Sequence, residues 1–250
     1  MQITYPSHHR WMRDISKGVE IGFSGRIIKM VTESLPLLSH YGVVSKIEPL
    51  TDDFFEEFTP AYIENIGNKA NAMVHDVRAK TLGNHNGAIL YFGLSLHENG
   101  EYIGGTIFSL RSDRVSYAYR TFHRNWNAAT LKANPAIIAE HIVAVFAYNQ
   151  GKTIISHGKD RNPYGPNSAI GMAGFKLSVG CRPSNVTNGT YDIHTLDTDT
   201  LTEDCFILEQ PKEGIDITKA YLVTTKENEH KYLQVTKYPE QLTVEVLYRD

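Results

Sequence analysis

The residues of this sequence that could carry chemistry concentrate in one polar loop, which follows the β-branched run Thr153–Ile155. His157, Asp160 and Tyr164 lie in this loop, and a Gly- and Ala-rich segment with Lys176 comes after it. Imidazole has a pKa of about 6.5, which suits proton transfer at neutral pH, and carboxylates and phenols also exchange protons. In α/β proteins, ligands bind where a strand gives way to a helix, because backbone groups are unpaired there. We therefore predict a catalytic or binding site at this junction.

Each of these side chains has a candidate role and a structural alternative. His157 is the leading candidate for a general base, since it ends a predicted strand. Asp160 is close enough in sequence to orient or replace His157, and Tyr164 is a candidate acid. A single histidine more often packs or hydrogen-bonds than catalyses. Lys176 either contacts a ligand or lies at the surface with its aliphatic chain packed against the protein.

Charge is distributed unevenly along the chain, although the net charge is only −3. Residues 111–182 hold ten Lys and Arg against three Asp and Glu, whereas residues 183–250 hold six against thirteen. A basic segment between acidic flanks is typical of a surface that meets an anion. The alternative is that these side chains are scattered over a solvated surface.

Composition excludes several classes of protein. The 250 residues can bury a sizeable core, and the longest apolar run is interrupted by Glu140 and His141, so no membrane span or membrane partner is predicted. Cys181 and Cys205 are too few for a disulfide framework, and the first residues contain no apolar signal segment. His8-His9 lacks carboxylates at ligand spacing, so no metal site is predicted. We expect a cytoplasmic protein, whose oligomeric state the sequence does not indicate; a homodimer is one alternative.

The hydrophobic pattern predicts strands and helices in a mixed order. Thr51 and Asn134 are predicted helix N-caps, and Asn99-Gly100 predicts a type I′ hairpin turn. The pattern of residues 71–83 predicts a helix. Pro60 is expected to kink or split the helix that contains it. Four segments within 191–250 alternate like a small antiparallel sheet.

The order of these elements predicts an α+β fold, with a mixed central sheet flanked by helices and additional C-terminal antiparallel strands. We expect an N-terminal extension at 1–42, a core at 43–185 and a C-terminal β-rich extension at 186–250, packed on the core.

Two segments of the core carry a resemblance to a known family. One is the hairpin and strand NGEYIGGTIFSL; the other is GFKLSVGCRP, in which Phe175, Lys176 and Gly180 form a Phe-Lys-x-x-x-Gly pattern. With the element order, they resemble the GNAT superfamily of acyltransferases, and within it the branch related to the Fem-type peptidyl or aminoacyl transferases. The resemblance covers roughly residues 43–185 and implies a GNAT-like core.

The resemblance implies transfer of an acyl group to the amine of a small molecule or peptide. The expected co-substrate is acetyl-CoA or another acyl-CoA, and the Fem-like alternative is an aminoacyl-tRNA donor, which makes tRNA a partner. Donor phosphates are expected at the start of the helix that begins at Asn134-Pro135, where free N–H groups attract anions. The donor-binding residues implied are Arg120, Arg124, Lys132, Asn134, Ala136, Asn167 and Lys176.

Two departures from the family pattern leave alternatives open. Residues 120–135 contain no glycine, whereas many GNAT proteins have a Gly-rich pyrophosphate loop there. Phe175 stands near the place where many GNAT enzymes have a tyrosine that protonates the leaving thiolate. Trp126 either stacks on an adenine or fills a core edge. A GNAT-like fold that has lost catalysis and binds a ligand or a protein is therefore the second hypothesis. The third is that the acidic C-terminal strands form a module for protein association.

Overall fold

The computed structural model describes residues 1–67, 73–82, 89–123, 131–166, 168–186 and 192–249. They form two compact units. The inner unit is Ile15–Ile155, and the terminal unit joins Met1–Asp14 with Ser156–Asp250. The division into 1–42, 43–185 and 186–250 stays a prediction. None of the helices within the described residues is both long and apolar enough to cross a lipid bilayer.

The elements follow one another in a mixed order. The strands are β1 Gln2–Pro6, β2 His8–Asp14, β3 Val43–Pro49, β4 Leu90–Glu98, β5 Glu101–Leu110, β6 Arg114–Phe122, β7 Ile154–Arg161, β8 Arg182–Asn185, β9 Ile193–Asp197, β10 Cys205–Leu208, β11 Lys219–Thr224 and β12 Thr243–Tyr248. The helices are α1 Gly25–Ser34, α2 Asp52–Gly67, α3 Val77–Leu82, α4 Pro135–Asn149, α5 Ile170–Ser178 and α6 Leu233–Thr236. The predicted α+β class is confirmed.

The sheet of the inner unit is an antiparallel meander in the order β3-β4-β5-β6. The turn between β4 and β5 is Asn99-Gly100, and both residues have positive φ, as a type I′ turn requires. Gly93 on β4 faces Phe54 of α2, and a Cβ at that glycine would lie 2.3 Å from the phenylalanine ring. The missing side chain therefore lets α2 lie directly on the sheet.

The helices of the inner unit begin where their caps predict. Thr51 Oγ1 accepts from the N–H of Phe54, and Asn134 Oδ1 accepts from the N–H of Ile137. Pro60 lies inside α2, which continues through it to Gly67, so the expected split does not occur. α3 begins only at Val77, which is later than predicted; residues 71, 72 and 83 lie outside the described residues.

The terminal unit contains three sets of strands. In one set β2 lies between β7 and β8, and β1 pairs antiparallel with β9. In the third, β10 and β11 are antiparallel as expected, while β12 runs parallel to β11. One of the four segments predicted as strands within 191–250, KYLQVTKY at residues 231–238, instead forms the end of a short 3-10 helix and α6. This helical connection returns the chain to the starting end of β11, which makes the parallel pair possible.

Candidate functional site

A buried cluster of polar side chains lies in the terminal unit, around the hydroxyl of Tyr164. β2 contributes His9 and Trp11, β7 contributes Asp160, and α5 contributes Lys176. Tyr164 itself follows β7, and its side chain is fully buried. Three of these residues, Asp160, Tyr164 and Lys176, are sequence-predicted site residues that the structure brings together.

The turn that carries Tyr164 is held by the buried Asn162. Its Nδ2 donates to Leu208 O at 2.8 Å, and its Oδ1 accepts from Leu208 N at 3.1 Å. Its own N–H donates to Ser7 O. Tyr164 then pairs through its backbone with Phe206. These bonds fix the turn, so the phenol is held in one position within the unit.

Hydrogen counting assigns the direction of each bond at the phenol. Its single hydrogen goes to Asp160 Oδ2, at 2.6 Å, and its oxygen accepts from Trp11 Nε1, at 2.7 Å. His9 Nε2, at 2.8 Å, must then donate as well, so that nitrogen carries the ring hydrogen. His9 Nδ1 is left as a buried acceptor with no partner among the described residues. Burial, the largest effect, lowers the pKa of His9 to about 3, which keeps its ring neutral.

Asp160 and Lys176 form a nearly buried ion pair, with Nζ and Oδ2 2.5 Å apart and side chains 9% and 13% exposed for Lys176 and Asp160, respectively. Burial pushes the pKa of Asp160 upward, but the charge and hydrogen bond of Lys176 and the bond from Tyr164 outweigh it and lower that pKa. Burial, then the charge of Asp160, raises the pKa of Tyr164 well above its usual value. The Asp160 carboxylate therefore accepts two hydrogen bonds, one from the Tyr164 hydroxyl and one from the Lys176 ammonium.

His157 reaches the same cluster through its backbone. Its carbonyl oxygen lies 3.5 Å from Lys176 Nζ, and its side chain is largely buried. The role of the imidazole as a base stays a prediction.

Sequence reasoning missed His9 and Trp11, since it found no pattern in the first forty residues. A signal is nonetheless present, because His9, Trp11 and Arg13 alternate with the less buried His8 and Arg10 along β2. Polar residues on the buried face of a strand need specific partners and are a mark of a buried network.

Two of the donor-binding candidates of the inner unit, Arg120 and Lys132, are in ion pairs. Arg120 Nη2 lies 2.6 Å from the fully buried Glu140, and Lys132 Nζ lies 2.5 Å from Glu33. Asn134 caps α4 with its own side chain, and Ala136, half-buried, occupies the first turn. Arg124, Trp126 and Asn167 lie outside the described residues. The donor-binding role of this set stays a prediction.

Within the part of the chain that the structure describes, no group of three or more His, Cys, Asp or Glu side chains is arranged to hold a metal ion.

Comparison with solved structures identifies the fold. FemX aligns with a TM-score of 0.51 and 13% identity, over 70% of this chain and 59% of FemX. The C-terminal domain of a putative lysylphosphatidylglycerol synthetase from Agrobacterium fabrum aligns with a TM-score of 0.48 and 9% identity, over 73% of this chain and 59% of that domain structure. L-PGS from Bacillus licheniformis aligns with a TM-score of 0.42 and 13% identity, over 64% of this chain and 47% of its own.

At these identities the likeness shows the fold alone, and of the three structures FemX carries the comparison. The chain shares its fold with FemX, which is the fold that the resemblance of its sequence to the Fem-type branch implied. It spans about three fifths of the length of FemX, 59%. The sequence matches no protein-family model and no curated protein.

Proposed function

We propose that the chain is an acyltransferase, which moves an acyl group from an activated donor to the amine of a small molecule or peptide. The observation that carries this proposal is the buried Asp160–Lys176 pair on a fold shared with FemX. Lys176 belongs to the Phe-Lys-x-x-x-Gly segment, and the Tyr164 hydroxyl braces its partner Asp160.

In the proposed mechanism, Lys176 is the donor that stabilises the oxyanion of the tetrahedral intermediate. A preorganised cation in a water-poor site stabilises developing negative charge without moving at the moment of reaction. Asp160 holds the ammonium in place through the ion pair. The lowered pKa of Asp160 makes its carboxylate too weak a base to take the proton of the amine. Tyr164 is a positioning residue rather than an acid, because its hydrogen is donated to Asp160. The imidazole of His157 removes the proton from the amine. As the tetrahedral intermediate collapses and the bond from the carbonyl carbon to the leaving sulfur or oxygen breaks, the imidazolium returns this proton to the leaving group.

The donor has two candidates. Acyl-CoA is the first, because it is what the GNAT resemblance implies. Aminoacyl-tRNA is the second, and two observations favour it. Residues 120–135 contain no glycine to wrap a pyrophosphate, and Asn134 takes up one N–H of the first turn of α4 while Pro135 has none.

Donor binding and turnover test the proposal together. Acetyl-CoA at about 100 times its Kd should stabilise the protein by about 2.7 kcal/mol and raise its Tm. A tRNA donor should instead bind with an affinity that falls steeply as salt rises. Transfer to an amine is then measured with the donor that binds. If neither donor binds and no transfer occurs, the inactive ligand-binding alternative replaces the proposal.

The double variant Asp160→Asn/Lys176→Met separates catalysis from folding. It removes both charges of the pair and keeps an oxygen acceptor for Tyr164, so the fold should be retained while transfer is lost. The matched control is Lys46→Met/Glu48→Gln, which removes a surface ion pair on β3 and should leave transfer unchanged. Equal turnover in the two double variants would contradict the role of the cluster.

A further inference from the structure

A second polar site lies in the inner unit, as a cavity of about 460 Å³. Its walls are formed by α2, α3, β4, β6 and the residues that precede α3. The aromatic and basic side chains that line it are Tyr62, His75, Lys80, Tyr91, Tyr119 and Arg120. Cavities of about 300–1,000 Å³ accommodate small-molecule ligands in proteins, so this one is large enough for such a ligand.

The charge of this cavity is positive. The described residues that line it include no Asp or Glu. Glu140 balances Arg120 at 2.6 Å, and the Arg120 guanidinium lies 3.5 Å from the centre of the Tyr117 ring. Lys80 Nζ donates to His75 Nδ1 at 2.8 Å, a neutral partner nitrogen that leaves the charge of the ammonium in place. Lys80 therefore brings a positive charge that no carboxylate offsets among the lining residues that the structure describes.

The tyrosines add hydroxyl donors and ring surfaces. Tyr119 packs edge-to-face on Tyr62, with ring centres 5.7 Å apart, and the His75 ring lies 6.2 Å from it. Burial first, then the electrostatic influence of Tyr62 and Tyr91, raises the pKa of Tyr119. The three phenols are therefore near one another, and protonated phenols can donate hydrogen bonds to an anion. Their rings can also pack on an apolar or planar group.

We infer that this cavity binds a small molecule that carries one carboxylate or phosphate beside Lys80 and lays a ring or chain on the tyrosines. The volume and the single unbalanced lysine suit one acid group, whereas coenzyme A and tRNA carry several phosphates.

Calorimetry with three aromatic probes tests the inference: phenyl phosphate, benzoate and the neutral benzyl alcohol. At least one anionic probe should bind about tenfold or more tightly than benzyl alcohol, as expected for a charge-assisted hydrogen bond. Lys80→Gln should weaken that probe by a similar factor, and Tyr119→Phe should weaken it less. The control is Lys46→Gln, an exposed lysine of β3, which should bind like the unmodified protein.

The probes also distinguish the acid group. Tighter binding of phenyl phosphate identifies a phosphate site, tighter binding of benzoate a carboxylate site, and equal binding a site that recognises charge alone. The inference is overturned if neither anion binds more tightly than the alcohol, or if Lys80→Gln behaves like Lys46→Gln. Because calorimetry needs no donor, anion binding without any transfer would refute only the acyl-transfer proposal, and transfer without anion binding only this inference.

Discussion

Removing the Lys176 ammonium while Asp160 remains should destabilise the protein more than removing both charges together. Lys176→Met leaves a carboxylate whose side chain is 13% exposed with Tyr164 as its one described hydrogen-bond donor. Loss of one partner from a buried ion pair costs about 3–5 kcal/mol, because the other charge stays buried without compensation. The double variant Asp160→Asn/Lys176→Met keeps an acceptor for the phenol and leaves no charge. Its cost should therefore be smaller than that of either single variant.

Urea unfolding at pH 7 of the four proteins of this double-mutant cycle measures the effect. We expect a coupling energy of about 2 kcal/mol or more between Asp160 and Lys176. The parallel cycle with Lys46→Met and Glu48→Gln is the control; their atoms are 2.6 Å apart, but Lys46 is 64% exposed. Surface pairs of this kind contribute about 0–1 kcal/mol. A coupling at Asp160 and Lys176 no larger than that of the surface pair would refute the reasoning.

The pH dependence of the same variants provides an independent sign test. The pKa of Asp160 is lowered from 3.8 in the folded protein, so the native state binds fewer protons than the unfolded state as the pH falls. The contribution of the ion pair is therefore complete above about pH 5 and is lost as the pH falls through 3.8 and below. In Lys176→Met, burial dominates and should raise that pKa above 3.8. The contribution of Asp160 to stability should then decrease as the pH rises, with a slope opposite to that of the unmodified protein.

Two further changes test the packing around the sites. The pKa of His9 is lowered from 6.5 to about 3, so His9 should cost about 1.4 kcal/mol of stability per pH unit as the pH falls below 6.5. The free energy of unfolding, measured with urea between pH 7 and 4, should depend less on pH for His9→Gln than for the exposed control His40→Gln. The same pH dependence in both variants would contradict a buried, neutral His9. Gly93→Ala should destabilise the protein by about 1–3 kcal/mol, because its Cβ would overlap Phe54. The control is Gly25→Ala, where the space around the added Cβ is open, so stability should be unchanged or slightly higher. Thermal unfolding measures both variants.

Much of the inner unit was predictable because its signals are local. The N-caps Thr51 and Asn134 each use a side chain that bonds an N–H three residues later, and Asn99-Gly100 forms its turn from two adjacent residues. Such signals require no knowledge of the rest of the chain. The split that Pro60 predicted as one alternative does not occur, since tertiary packing of α2 on the sheet holds the helix together.

The candidate site was predictable in part. Asp160, Tyr164 and Lys176 were chosen by residue type and by the predicted strand-to-helix junction, and the structure joins all three. His9 and Trp11 come from a strand more than 140 residues earlier in the chain, and no spacing pattern connects them to Tyr164. Their part in the cluster depends on β2 lying beside β7 in one sheet.

Charge counting along the chain had a similar limit. The basic segment 111–182 is real in composition, but Arg120 pairs with Glu140 and Lys132 with Glu33. Lys80 lies outside that segment, and among the described residues that line the inner cavity no carboxylate offsets its charge. A count of residues contains no distances, whereas electrostatic attraction falls with distance and depends on burial.

The amino-acid order by itself determined the helix caps, the hairpin turn, the α+β composition and the group of reactive side chains after β7, because these depend on residues within a few positions of one another. Only the tertiary structure decided that β12 runs parallel to β11 and that His9 and Trp11 complete the cluster around Tyr164. It also decided that Arg120 pairs with Glu140 and Lys132 with Glu33. Those outcomes are contacts between distant segments, and alternation, composition and spacing along a chain do not specify which distant segment will be a neighbour in space.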